Sequence, residues 1–241
     1  MWFLLVHAAL ALDQGPWQKV LDTYVDANGR VDYQRIHDSH ALDAYVESLK
    51  NEPEPADRNG RIAFWLNAYD ALTIQTVATS YPISSIRDLD GGKVWDTRTF
   101  RVAGRNVTLN QIENNMLRPM GDPRVHAALN CASIGCPPLT KTAFSVDKLD
   151  DQLSDAAKRW VSTNGVKVDQ SNKVVTLSKV FDWYGDDFLG LHHADIPGVD
   201  GKEEAACDFA ARYLSADQAA FLAKGGYAVR YADYDWSLNK Q

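Results

Sequence analysis

The chain has 241 residues, of which 45% are hydrophobic and 24% charged, with a formal net charge of −7. This is ordinary globular composition, and a chain of this length buries roughly three quarters of its unfolded surface without help from disulfide staples. Collagen-like, low-complexity and polytopic membrane classes are excluded, and an acidic balance with no basic stripe argues against nucleic acid as a partner.

The N-terminus is apolar from Trp2 to Leu12 apart from His7, and carries Ala9-Leu10-Ala11 near its end. That pattern suits the core of an export signal with a small-residue cleavage site, although the basic start is missing. A terminal helix packed on the domain is the other reading. We therefore treat residues 1–16 as a separate apolar segment, compatible with membrane proximity and with a periplasmic or extracytoplasmic location, and residues 17–241 as a single domain.

Trp17, Val20, Leu21 and Tyr24 share one side of a first helix. Asn28-Gly29 turns the chain into a short extended stretch, Arg30 to Tyr33. Ala41 to Leu49 reads as a second amphipathic helix, and the prolines at 53 and 55 mark a loop. Arg61 to Thr79 is the strongest helix signal. It is apolar nearly all round, as expected of a central, buried helix, with Asn67 and Asp70 together on one face. These two read either as a solvated strip or, for Asn67, as a group orienting a catalytic side chain or an oxyanion.

Phe100 to Val107 predicts a β-hairpin, and Thr108 with Gln111 forms a capping box opening a helix to about Leu117. Val125 to Leu129 reads as a short buried strand, followed by a loop from Cys131 to Pro138. Val146 to Val161 predicts an amphipathic helix, and Val166 to Leu177 a second hairpin. Ser178 caps a helix to Phe188, then comes a loop with His192 and His193. Two helices (Glu203–Leu214 and Ala216–Ala223) and a closing strand, Tyr227 to Tyr231, complete the chain. The expected fold is α+β: a helix-rich single domain, with hairpins rather than βαβ units around the central helix.

Chemistry concentrates between Arg124 and Leu139. A thiol is a useful nucleophile only as thiolate, and a histidine that takes its proton can make it one. His126 lies five residues before Cys131, and Glu113 is the nearest upstream carboxylate able to hold the imidazole, by the logic of a catalytic triad. His126 and Cys131 can meet only if the chain turns at Asn130; His192 and His193 are rival bases. Cys136 leaves other readings open: a small disulfide with Cys131, two buried thiols, or a reversible redox lock. The cysteine spacing is poor for zinc, and no metal or cofactor is implied. Cys207 sits in a helical pattern that reads as packing.

At these residues the chain resembles a bacterial family with plant relatives, domain of unknown function 547. The resemblance rests on Phe64 to Ile74, Tyr81 to Arg87, Val125 to Ser133 with Cys136 to Leu139, Leu177 to Phe188 and Tyr234 to Asn239. It implies an active centre of Glu113, His126 and Cys131, and a permuted papain-like thiol hydrolase fold. Asp70 stands where that family usually has asparagine. The expected activity is a cysteine hydrolase or acyltransferase acting on an amide, peptide or γ-glutamyl-type bond of a small molecule or peptide. In this reading Asn67 and Asn130 help at the oxyanion, and Arg118 or Arg124 binds a substrate carboxylate. The alternative is a non-catalytic extracytoplasmic binding module with a Cys131–Cys136 disulfide.

Overall fold

A computed structural model describes residues 13–190 and 194–241. The expectations for residues 1–12 and for His192 and His193 lie outside the described residues. Among the described residues the chain is a helix-rich α+β structure of twelve helices and five short strands. Its helices begin with α1 (Gly15–Tyr24), α2 (Tyr33–Ser39), α3 (Asp43–Leu49) and α4 (Arg58–Ala78). A short α5 (Val94–Thr97) leads into the hairpin β1 (Phe100–Val102) and β2 (Arg105–Val107), then α6 (Leu109–Gln111). Helices α7 (Val125–Ala128) and α8 (Leu149–Trp160) follow. Strands β3 (Val166–Asp169) and β4 (Val174–Leu177) precede α9 (Lys179–Trp183), α10 (Asp186–Leu189), α11 (Gly201–Ala211), α12 (Ala216–Lys224) and β5 (Ala228–Tyr231).

Helix α4 is the axis of the core. Asp57 caps it by accepting the Gly60 N–H at 2.8 Å, and nearly every side chain from Ile62 to Ala78 is buried. A second apolar cluster joins Trp160 of α8 to Phe181, Phe188 and Phe209, with Trp160 stacked on Phe181 at 4.5 Å. Each such side chain contributes about 1.5–3 kcal/mol by leaving water.

Four expectations are corrected. Val125 to Ala128 is a helical turn, not a strand, because the Asp122 and Pro123 carbonyls accept the N–H groups of Val125 and His126. So short an apolar run has no periodicity to tell strand from helix. Tyr33 starts a helix, capped by Asp32, and only Val31 bridges as β. The helix expected from Lys179 to Phe188 breaks at Tyr184-Gly185 into α9 and α10. Finally, β5 pairs with β4 in parallel, so the second sheet is mixed rather than a plain hairpin; the intervening helices make the crossover that a parallel pair needs.

Asn67 and Asp70 are buried, not a solvated strip. Asp70 accepts the Asn130 N–H at 2.9 Å, across 60 residues of sequence. The Asn130 side chain donates to the Pro137 carbonyl at 2.9 Å and accepts from Ala132 N–H at 2.9 Å and from Asn239 at 3.1 Å. One side chain thus closes the Cys131–Pro137 loop on itself and ties it to the C-terminal segment.

Burial raises the Asp70 carboxyl well above its ordinary range, despite the hydrogen bond from Asn130. In the unfolded chain it ionises near pH 4. Above that pH the unfolded state holds fewer protons than the folded one, so this group costs stability as pH rises. Asp70→Asn keeps an acceptor and removes that cost. Its thermal midpoint should match the parent's near pH 4 and exceed it at pH 8. Asp70→Ala should lose about 1–3 kcal/mol near pH 4 by stranding the Asn130 N–H, and less than that at pH 8, where it too sheds the ionisation cost.

Candidate active site

Cys131, Cys136, His126 and Glu113 line one cavity of about 310 Å³. Tyr69 of α4 and Trp95 of α5 contribute to its wall, and three further regions build the rest. The first is the turn after the α6 capping box, where residues Ile112–Leu117 continue as a π-helix, a widened turn common at functional sites. The second is α7 with the loop that follows. Here Leu129 is extended and Ala132 takes a left-handed conformation at φ +63°, which bends the chain just after Cys131. The third combines α9, α10 and the C-terminal residues 234–239. Ile134 N–H and Gly135 N–H donate to the Ser237 and Asp235 carbonyls, each at 2.8 Å, laying Tyr234 across the loop. A Cβ on Gly135 would sit 3.0 Å from the Tyr234 ring, so close an approach favours glycine there.

The two sulfurs form a disulfide, with Cα atoms 6.2 Å apart. Cys131 N–H donates to Cys136 Sγ at 3.0 Å. The Tyr234 hydroxyl lies 3.1 Å from Cys131 Sγ and 3.0 Å from Cys136 Sγ, and accepts from Ser133 Oγ at 2.9 Å. With its lone pair engaged by Ser133, the phenol has its own proton to offer the sulfurs. Cys207 stands apart in the core, its thiol pushed up to about 11 by burial.

His126 is buried, stacked on Tyr184 at 4.4 Å and tilted against Phe188 at 5.7 Å. Its Nε2 bonds Asp187 Oδ2 at 2.7 Å. Arg118 holds the same carboxylate through two hydrogen bonds, Nε to Oδ2 at 2.6 Å and Nη2 to Oδ1 at 3.0 Å. The imidazole is therefore fixed on one side, which leaves Nδ1 as the ring nitrogen for chemistry in the cavity. The carboxylate holding His126 is Asp187, not the expected Glu113. The π-helical turn instead aims Glu113 at two phenols: Tyr69 hydroxyl at 3.4 Å, and Tyr184.

The expected substrate-binding residues are otherwise engaged. Arg118 is committed to Asp187 and Asn114, and Arg124 to Asp122 and Asp150, so neither guanidinium waits for a substrate carboxylate. Asn67 is spent inside the core: its Oδ1 accepts from Trp17 and from Phe144 N–H, and its Nδ2 donates to the Phe144 carbonyl. Asn130 orders the loop and spends its polar atoms there. Sequence reasoning missed Asp187 and Tyr234. Asp187 lies 61 residues from His126, and in sequence it is one of two acids opening a short helix, which reads as dipole compensation. Tyr234 has no chemical signal in its own neighbourhood and stands out only as the first residue of a block, Tyr234 to Asn239, that carries the family resemblance.

Among the described residues no group of three or more His, Cys, Asp or Glu side chains is arranged to hold a metal ion. No helix among them is long and apolar enough to cross a membrane.

Fold and site together define a helix-rich α+β protein with a cysteine pair and a carboxylate-held histidine in one cavity. Residues 53–161 match the family described as "Protein of unknown function, DUF547". Comparison with curated proteins and with solved structures gave no match. The matched stretch contains Glu113, His126 and both cavity cysteines, whereas Asp187 and Tyr234 come from beyond it.

Burial alone would raise the Asp187 carboxyl, but the hydrogen bonds and charges of His126 and Arg118 outweigh it and hold it well below the usual range. A depressed carboxyl stabilises the fold above its unfolded pKa, near 4, and that stabilisation is lost as pH falls through the folded value. In urea unfolding between pH 6 and pH 2, Asp187→Asn should be less stable than the parent at pH 6 and converge on it at the acid end. Parallel curves would show that the trio carries no such linkage.

Proposed function

We propose that the chain is a thiol hydrolase or acyltransferase acting on an amide, peptide or γ-glutamyl-type bond. One observation carries the reading: Cys131 shares a cavity with a histidine whose far nitrogen is fixed by a carboxylate. Cys131 is the nucleophile. Reduction by a small thiol breaks the bond to Cys136, yielding two protein thiols and oxidised reductant. His126 Nδ1 then takes the Cys131 proton and later gives it to the leaving group, while Asp187 stabilises the imidazolium. In this reading the Cys131 N–H and the Tyr234 hydroxyl, which lie against the sulfurs, hold the oxyanion. Glu113 faces the substrate rather than His126. The proposed location is extracytoplasmic, since a disulfide persists most readily in an oxidising compartment.

The Cys131–Cys136 bond itself favours a second reading, a non-catalytic binding module stapled by that disulfide. Mass-resolved alkylation separates the two. After mild reduction, Cys131 should alkylate at pH 6 at least tenfold faster than the buried Cys207. A peptide- and metabolite-library screen should then give turnover that Cys131→Ser and His126→Ala each abolish, and that Cys136→Ala retains. Equal alkylation rates, or loss of folding on reduction without turnover, would leave the binding module.

A further inference from the structure

Glu113 is nine-tenths buried, yet it faces the cavity. Its hydrogen-bond partners are the phenols of Tyr69 and Tyr184. Among the described residues no Lys, Arg or His forms an ion pair with it; the nearest candidate, Arg118, is committed to Asp187. The Glu113 carboxyl therefore sits in a partly enclosed space with no cationic side chain bonded to it and only the through-space charge of Arg118 nearby, an arrangement that a bound cation suits.

The walls suit the same ligand. Trp95, Trp183, Tyr234 and Trp236 line the cavity and lean on one another: Trp183 stacks on Trp236 at 5.9 Å, Tyr234 meets Trp236 at 4.5 Å, and Trp95 meets it edge-on at 5.8 Å. Trp183 is 43% exposed, an unusual state for so large an apolar ring on a folded surface. Aromatic faces are electron-rich and attract cations: Arg87 already lies over Trp236 at 5.0 Å and Arg118 over Tyr184 at 5.1 Å. Among the described residues no Lys or Arg belongs to the cavity lining itself. Its volume of about 310 Å³ is at the small end for a ligand site, so the recognised group is compact.

We infer that the cavity takes a substrate bearing an ammonium group, primary or quaternary, held between the Glu113 carboxylate and the tryptophan–tyrosine wall beside Cys131. This deepens the thiol-enzyme reading by naming a substrate class: an amide or peptide with a positively charged amine close to the bond that is cut. Glu113 then serves as a specificity residue and leaves the histidine to Asp187.

The experiment measures binding, not turnover, so it stands or falls separately from the nucleophile. Choline, its neutral carbon isostere dimethylbutanol, and acetate are titrated into the disulfide form at constant ionic strength. The readouts are tryptophan fluorescence and the indole N–H signals in NMR spectra. The same titrations are repeated on the Cys131→Ala/Cys136→Ala chain, which has no nucleophile to lose. Choline should saturate and shift the signals of Trp95, Trp183 and Trp236, with dimethylbutanol at least tenfold weaker and acetate without effect. Glu113→Gln should weaken choline at least tenfold while circular dichroism stays unchanged. Equal binding of choline and dimethylbutanol, preference for acetate, or full choline affinity in Glu113→Gln overturns the inference. If Glu113→Gln does not fold, the choline–dimethylbutanol ratio on the parent chain decides alone. Cation binding without any alkylation of reduced Cys131 would keep this inference and remove the nucleophile.

Discussion

The hydrogen bond from Asn130 N–H to Asp70 fastens the reactive loop to the middle of the core. Helix α4 contributes more buried residues than any other element, so a group anchored to it is held by the main core. Through Asn130 the anchor passes to Pro137 at the far end of the loop and to Asn239 near the C-terminus. The left-handed Ala132 is held in the same way, its N–H on the Asn130 side chain and its carbonyl accepting from Asn239 N–H. Such a conformation costs an alanine about 1–3 kcal/mol, so it persists only where its surroundings over-determine it. The bend it produces sets Cys131 into the cavity instead of letting it continue along the line of α7.

The histidine is positioned by different means. It packs between Tyr184 and Phe188, and its ring angle is fixed by an ion-paired carboxylate rather than by backbone. Asp187 and Arg118 form a two-bond fork, which constrains direction as well as distance. Loop and histidine are therefore held by different neighbours within one core: the loop by α4, the histidine by Tyr184, Asp187 and Phe188. The cavity lies beside both sets of contacts, with Tyr234 laid across the loop.

What was legible in the sequence follows range. The capping box at Thr108, the apolar α4, both hairpin turns and the amphipathic α8 rest on residues within a few positions, and each is found close to where local rules put it. The cysteine and histidine were legible because they sit five residues apart in one segment. Their carboxylate was not, since Glu113 and Asp187 look alike until the fold places one beside the imidazole. The arginines misled for a related reason. A free guanidinium and one already forked onto Asp122 have the same sequence, and only the second has partners. Asn67 and Asp70 were read against the wrong alternative, because a polar pair on an apolar helix is solvated unless something distant covers it.

The disulfide has a consequence for the proposed chemistry beyond occupying a thiol. In the oxidised arrangement the Cys131 N–H donates to Cys136 Sγ, and the Tyr234 hydroxyl lies against both sulfurs. In the proposed chemistry those two donors are the ones that would meet the oxyanion. One covalent bond thus removes the nucleophile and engages both stabilising donors at once. Reduction restores the thiol in this scheme, and Cys136 Sγ then no longer has to stay within bonding distance of Cys131 while the loop remains anchored at Asn130. The geometry of the loop does not have to be rebuilt for this: the bend at Ala132 and the ties to Asp70, Pro137 and Asn239 involve neither sulfur. On the proposed reading the oxidised chain therefore keeps the loop geometry that the reaction uses, and reduction restores the thiol.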